Sequence, residues 1–140
     1  MVALLDTNVI LTYIIGRDVN DRESCSRVME LCAEGKIKGF VAFHSLSNIW
    51  YILHKSEVRE KRREFLQNLL DILTVTGASQ ERVIEAIRME DFADFEDCLQ
   101  YECAKESGAE YIITSNGRDY SNATDIGILT PGEAVALCSQ

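Results

Sequence analysis

Three short runs of oxygen-bearing side chains carry the chemistry available to this chain: Asp6-Thr7-Asn8, Asp94-Phe95-Glu96-Asp97 and Thr114-Ser115-Asn116-Gly117-Arg118-Asp119. Carboxylates grouped with hydroxyls and amides suit hard divalent cations, which take oxygen ligands and keep part of their water shell. Asp6 and Asp97 are the candidate metal carboxylates. Thr7, Asn8, Asp94, Glu96, Thr114, Asn116 and Asp119 are candidate supporting groups. Each run also has a plainer reading. Asp, Thr and Asn are favoured helix N-caps, acids are favoured in a first helical turn, and Asn-Gly is a common tight-turn dipeptide. The readings can coexist, with Asp94 capping a helix while Asp97 points inward. Asn48 is a further candidate supporting group, able to orient a metal-bound water or the phosphate; it lies off the apolar stripe of its segment, so a solvated amide is its plainer reading. His44 and His54 have no metal-ligand spacing, although His44 follows a strand.

Apolar runs alternating with 3.6-residue periodicity predict the elements that hold these runs. Strands are expected at 2–5, 39–43, 73–76, 111–114 and 127–129. Helices are expected at 7–15, 22–34, 45–56, 59–72, 80–89 and 95–107, with Gly16, Gly35 and Gly108 as stops. Thr130-Pro131-Gly132-Glu133 is a capping box that opens a last helix. Strands alternating with helices imply a parallel sheet covered on both faces. Ligands of such sheets bind beyond the carboxyl ends of the strands, where the strand order reverses. All three runs, and His44-Ser45, fall just after a strand or at a helix start.

The chain has 140 residues and a formal net charge of −9, with 46% hydrophobic and 26% charged residues. This composition fits one globular domain, 1–140, and is too apolar for a disordered acidic tail. The charge excludes a protein that coats DNA by bulk electrostatics, but not a nuclease, because cation-binding carboxylates are themselves acidic. The charge is uneven: a net −7 lies between Gly77 and Glu110, whereas Leu53 to Arg63 carries +3. No apolar run is long enough to span a membrane, and no secretory leader pattern is present. The five Cys include no C-x-x-C pair, so buried thiols and a cytoplasmic location are expected.

Taken in order, the motifs resemble a PIN domain, the nuclease fold of VapC-type toxins. They are Leu4-Leu5-Asp6-Thr7-Asn8-Val9-Ile10, Ser45-Leu46-Ser47-Asn48-Ile49-Trp50, Asp94-Phe95-Glu96-Asp97-Cys98-Leu99-Gln100 and Tyr111-Ile112-Ile113-Thr114-Ser115-Asn116, followed by Asp119-Tyr120. The resemblance implies an α/β/α sandwich with strand order 3-2-1-4-5 and Mg²⁺- or Mn²⁺-dependent cleavage of RNA. It also implies a homodimer and, for a toxin, a small antitoxin partner covering the site. Family members keep three or four acids. Asp6 matches the first and Asp97 the third, while Asn48 and Asn116 stand at the second and fourth positions. Glu96, Asp94 or Asp119 would have to compensate. A scaffold with weakened catalysis, binding RNA or protein, is the alternative. A phospho-acceptor domain would want a second Asp two residues after Asp6, where Asn8 stands. Lys55, at the start of the basic run, and Arg118 are candidate phosphate contacts.

Overall fold

The computed structural model describes residues 1–16, 20–92 and 94–140. Five strands form one parallel sheet: β1 (Val2–Leu5), β2 (Lys38–Ala42), β3 (Thr74–Thr76), β4 (Tyr111–Ile113) and β5 (Gly127–Leu129). Their spatial order is β3-β2-β1-β4-β5. The register pairs Leu4 with Phe40 on one side and with Ile112 on the other. The chain first winds outward from β1 to β3, then returns to add β4 on the far side of β1. The carboxyl ends of β1 and β4 therefore flank the point where the winding direction reverses, which is where a parallel sheet leaves a crevice.

Alternation along the strands divides the core in two. Ala3, Leu5, Val41 and Ile113 face one layer: α1 (Thr7–Ile15), α2 (Arg22–Ala33), α3 (Phe43–His54), α4 (Arg62–Ile72) and α7 (Pro131–Cys138). Leu4, Phe40, Ala42 and Ile112 face the other layer, formed by α6 (Phe95–Ser107) with α5 (Gln80–Arg88) packed on it. The result is the α/β/α sandwich expected from the alternating pattern. Four of the five cysteines are buried thiols. No helix among the described residues is long and apolar enough to cross a membrane.

Several boundaries differ from the sequence expectation for local reasons. Phe43 looks like the last residue of an apolar strand, but it is the first residue of α3 and is 70% exposed. The strand has already ended at Ala42, whose extended backbone (ψ 140°) turns the chain off the sheet edge. The 59–72 segment starts as a 3₁₀ turn at Arg59–Lys61, and the α-helix follows from Arg62. The helix stops behave as expected: Gly108 sits at φ 75°, a conformation that costs glycine little. The Thr130/Glu133 capping box forms in both directions.

One feature of α6 was not expected. Glu102 is 1% exposed and pairs with Lys105 Nζ at 2.7 Å and Arg82 Nη1 at 3.5 Å, so a buried charge ties α5 to α6. Replacing both cations by Met strands that carboxylate. The double variant should lose about 3–5 kcal/mol in a urea titration, the cost of leaving a buried charge unpaired. A midpoint equal to the parent's would show the pairs to be dispensable.

Candidate active site

Asp6 directly follows β1 and is the N-cap of α1, where its Oδ1 accepts from the Thr7 N–H at 2.7 Å. Its Oδ2 accepts from the Thr114 hydroxyl at 2.8 Å and the Tyr120 phenol at 3.1 Å, with the Asn8 amide at 3.4 Å. The side chain is thus oriented by groups from both strands that flank the reversal point. Thr114 in turn accepts from the Asn116 N–H, and Asn8 accepts from the Ser115 N–H, which ties the β4 exit to the start of α1.

The first turn of α6 supplies the other acids. Asp94 caps the helix by accepting from the Glu96 N–H at 2.8 Å. The plain and the chemical readings of this motif hold together, because Asp94, Glu96 and Asp97 also line the cleft in front of Asp6. Glu96 and Asp97 are consecutive, and an α-helix turns about 100° per residue, so they leave α6 in different directions. Asp97 faces the Tyr120 phenol, 3.5 Å from its Oδ1. Glu96 faces α3, where its Oε1 accepts from the Asn48 amide at 3.1 Å and lies 4.0 Å from His44 Nε2. Of the two readings of Asn48, the solvated amide does not hold: its side chain lines the cleft and meets the Glu96 carboxylate.

Beneath these acids lies a polar cluster that sequence reasoning missed. Gln100, fully buried, donates to the Ser45 hydroxyl at 2.6 Å and the Thr7 hydroxyl at 3.2 Å. Thr7 also lies 2.9 Å from Ser45 Oγ and 3.5 Å from Glu96 Oε1. Helical spacing offered a clue. Gln100 is three residues after Asp97 and four after Glu96, and Ser45 is three before Asn48, so each lies on the same helix face as an expected site residue.

The cleft holds about 340 Å³ and is lined by five acids: Asp6, Asp94, Glu96, Asp97 and Asp119. Thr7, Asn8, Asn48, Tyr51 and Asn116 also line it, and no Lys or Arg does so among the described residues. Of the two expected phosphate contacts, neither lines the cleft. Arg118 is exposed on the 3₁₀ turn Gly117–Tyr120, and Lys55 is exposed just after α3 beside Tyr51.

This crowding leaves electrostatic marks. The Asp97 carboxyl is pushed up to about 7, first by burial and then by Asp6, Asp119, Asp94 and Glu96. Burial also raises Asp6, against the opposing hydrogen bonds from Thr114, Tyr120 and Thr7. The Tyr120 phenol is raised by burial and by Asp6 and Asp97, so it keeps its proton and donates it. Burial lowers the His44 imidazole more than Glu96 raises it, which favours its neutral form.

An all-oxygen set of acids with no basic side chain among them fits a hard divalent cation. Among the described residues no three Asp, Glu, His or Cys side chains close on a single point. The donor set therefore suits an ion that needs only one or two carboxylates and retains several waters, as Mg²⁺ does, rather than one that requires a full protein cage.

Residues 2–118 match the family model described as PIN domain. The chain is 30% identical over 132 residues to Ribonuclease VapC1 of Aquifex aeolicus, spanning 92% of this chain and 90% of the relative. VapBC2 from Rickettsia felis, solved bound to a DNA fragment from its promoter, superposes with a TM-score of 0.71. That match is at 18% identity and spans 93% of this chain and 98% of that one. Mycobacterium tuberculosis VapC20, described as a sarcin–ricin loop cleaving toxin, gives a TM-score of 0.67 at 13% identity, over 86% of this chain and 95% of that one. The family model spans most of the chain, and the Aquifex relative matches it at 30% identity over nearly its whole length: the chain belongs to the VapC-like PIN-domain family.

Proposed function

We propose that this protein is a metal-dependent endoribonuclease that hydrolyses RNA phosphodiester bonds, and that it acts as the toxin of a toxin–antitoxin pair. The observation that carries the reading is the convergence of Asp6, Glu96, Asp97 and Asp119 on a single cleft with no Lys or Arg in its lining among the described residues. The names of the Aquifex and Mycobacterium relatives support the same chemistry. Asp6 and Asp97 would hold Mg²⁺ or Mn²⁺, with Glu96 and Asp119 adding negative charge. When bound, such an ion supplies an activated water and screens the charge that develops on the phosphate.

The chain's own residues do the positioning. Thr114, Tyr120 and the Thr7 N–H fix the Asp6 carboxylate, and Asn48 fixes Glu96. The amide at position 48 thus does not leave the site short of a carboxylate; it relocates that charge to α6. An antitoxin would cover the acidic cleft and satisfy it with a basic side chain. A homodimer and a cytoplasmic location belong to the same reading.

Purified protein should cut RNA with Mn²⁺ and stop when EDTA is added. Cleavage indifferent to EDTA would reject the metal, and no cleavage with either ion would reject the enzyme. The competing reading, a scaffold without catalysis, rests on Asn48 and Asn116 and requires that calorimetry find no Mn²⁺ site that Asp6→Ala removes. Tyr120→Phe keeps the buried ring but loses the donor to Asp6. It should weaken Mn²⁺ binding by about 10- to 100-fold, the usual cost of losing a group that orients a metal ligand. An affinity equal to wild type would show that the phenol does not align Asp6.

A further inference from the structure

Nothing in the cleft lining explains how a chain of net charge −9 holds a polyanion. The answer lies at its α3 edge. Tyr51 lines the cleft and is 60% exposed, which leaves an aromatic ring accessible at the mouth of the carboxylate site. Lys55, one helical turn later, sits with its Nζ 4.5 Å from the centre of that ring. Beyond Lys55 the surface stays basic: Arg59, Lys61 and Arg63 are exposed. Arg62 and Arg63 stack on Trp50, at 3.8 Å and 4.9 Å from its ring centre, which anchors the start of α4 against α3. From the acidic 77–110 segment, with net −7, Asp94, Glu96 and Asp97 at the start of α6 line the cleft.

We infer that Tyr51 is a nucleobase-stacking platform and Lys55 its phosphate contact. Together they lead an unpaired RNA strand from the carboxylate cleft along the α3–α4 connection. The inference rests on the ribonuclease reading and names the subsite that reading lacks. An exposed ring with a lysine ammonium over it offers the two contacts that single strands use, base stacking and backbone charge, and stacking needs no strongly basic protein. An apolar peptide would find the ring but gain nothing from a strip of +3. A base-paired strand keeps its bases stacked in the duplex and cannot lend one to Tyr51.

The test uses full-length Asp97→Asn protein, to prevent cleavage, with Mg²⁺ and a fluorescent unstructured RNA dodecamer, read by anisotropy. Adding Tyr51→Ala should weaken binding by about 5- to 100-fold, the weight of one base stacked on an aromatic side chain. Tyr51→Phe, which keeps the ring, should bind within about twofold of the Asp97→Asn parent on the same ground. Lys55→Ala should reduce the slope of log affinity against log salt by about 0.7, as expected for one lost phosphate contact to a single strand. A blunt-ended RNA duplex should respond to Lys55→Ala but not to Tyr51→Ala. Equal dodecamer affinity in the Tyr51→Ala protein and its parent would overturn the platform, and so would equal losses on the dodecamer and the duplex. Cleavage of RNA by the wild-type protein, run in parallel, keeps the two readings apart: a cleaving enzyme indifferent to Tyr51→Ala loses only the subsite.

Discussion

Asp97→Asn is expected to lower RNA cleavage by about three orders of magnitude while leaving the protein folded and, without divalent ions, more stable than wild type. Both effects follow from where Asp97 sits. Its carboxyl is half-buried among Asp6, Asp94, Glu96 and Asp119, and their repulsion together with burial raises it to about 7. An amide of the same shape removes that repulsion, so a purely structural role predicts a gain in stability and no other change. A metal-ligand role predicts lost catalysis as well, because the ion's stabilisation of transition-state charge is worth several kcal/mol and each 1.36 kcal/mol is tenfold in rate. Asp6→Asn should be equally inactive but less stable. Its carboxylate accepts from the Thr7 N–H on one oxygen and from Thr114 and Tyr120 on the other. An NH₂ group in place of either oxygen faces a donor with a donor, at about 1–3 kcal/mol. Cleavage rates at fixed Mn²⁺ and melting temperatures in EDTA separate the two variants. Wild-type rates in both would end the ribonuclease assignment.

The sequence made Asp6 and Asp97 visible because each stands at an element boundary, and element boundaries follow from local periodicity and turn chemistry. The strand order was readable from the resemblance, since the alternation of elements alone specifies a parallel sheet but not its winding. What local pattern could not supply was the pairing across the cleft. The contact of Asn48 with Glu96 joins residues 48 positions apart, and nothing in the period of α3 distinguishes a solvated amide from one that meets the tip of another helix. Gln100 was hidden for a related reason. A glutamine among the apolar residues of α6 is buried only because Ser45 and Thr7, from two other helices, arrive to accept its protons. Phe43 misled in the opposite direction, since an apolar residue continuing a strand pattern reads as core until the backbone is seen to leave the sheet one residue earlier. Glu102 belongs with Gln100, because its burial depends on Arg82 arriving from α5.

Stability without divalent ions should fall as pH rises from 5 to 8, and Mn²⁺ should reverse the trend. A carboxyl whose pKa is raised on folding binds more protons in the folded chain than in the unfolded one, so its contribution is complete at low pH and is lost as the pH passes its folded value. For Asp97 the loss begins near the ordinary 3.8 and is complete above about 7. Asp6 shifts in the same direction, with burial as the main cause. In EDTA the protein should therefore melt at a lower temperature at pH 8 than at pH 5. A divalent cation competes with the proton for the same oxygens. It should give little protection at pH 5 and its full effect at pH 8, where Mn²⁺ at about a hundredfold above its dissociation constant adds about 2.7 kcal/mol. For a chain of this length that is a rise of roughly 10 °C. His44, whose imidazole burial lowers from its ordinary value, acts in the opposite direction over the lower part of this range, so the decisive comparison is with Asp97→Asn. That variant should show a flatter melting profile in EDTA and most of the Mn²⁺ gain lost, because Asp97 contributes to both effects. Equal protection by Mn²⁺ at pH 5 and pH 8, or a full Mn²⁺ gain retained by Asp97→Asn, would place the ion somewhere other than this cleft.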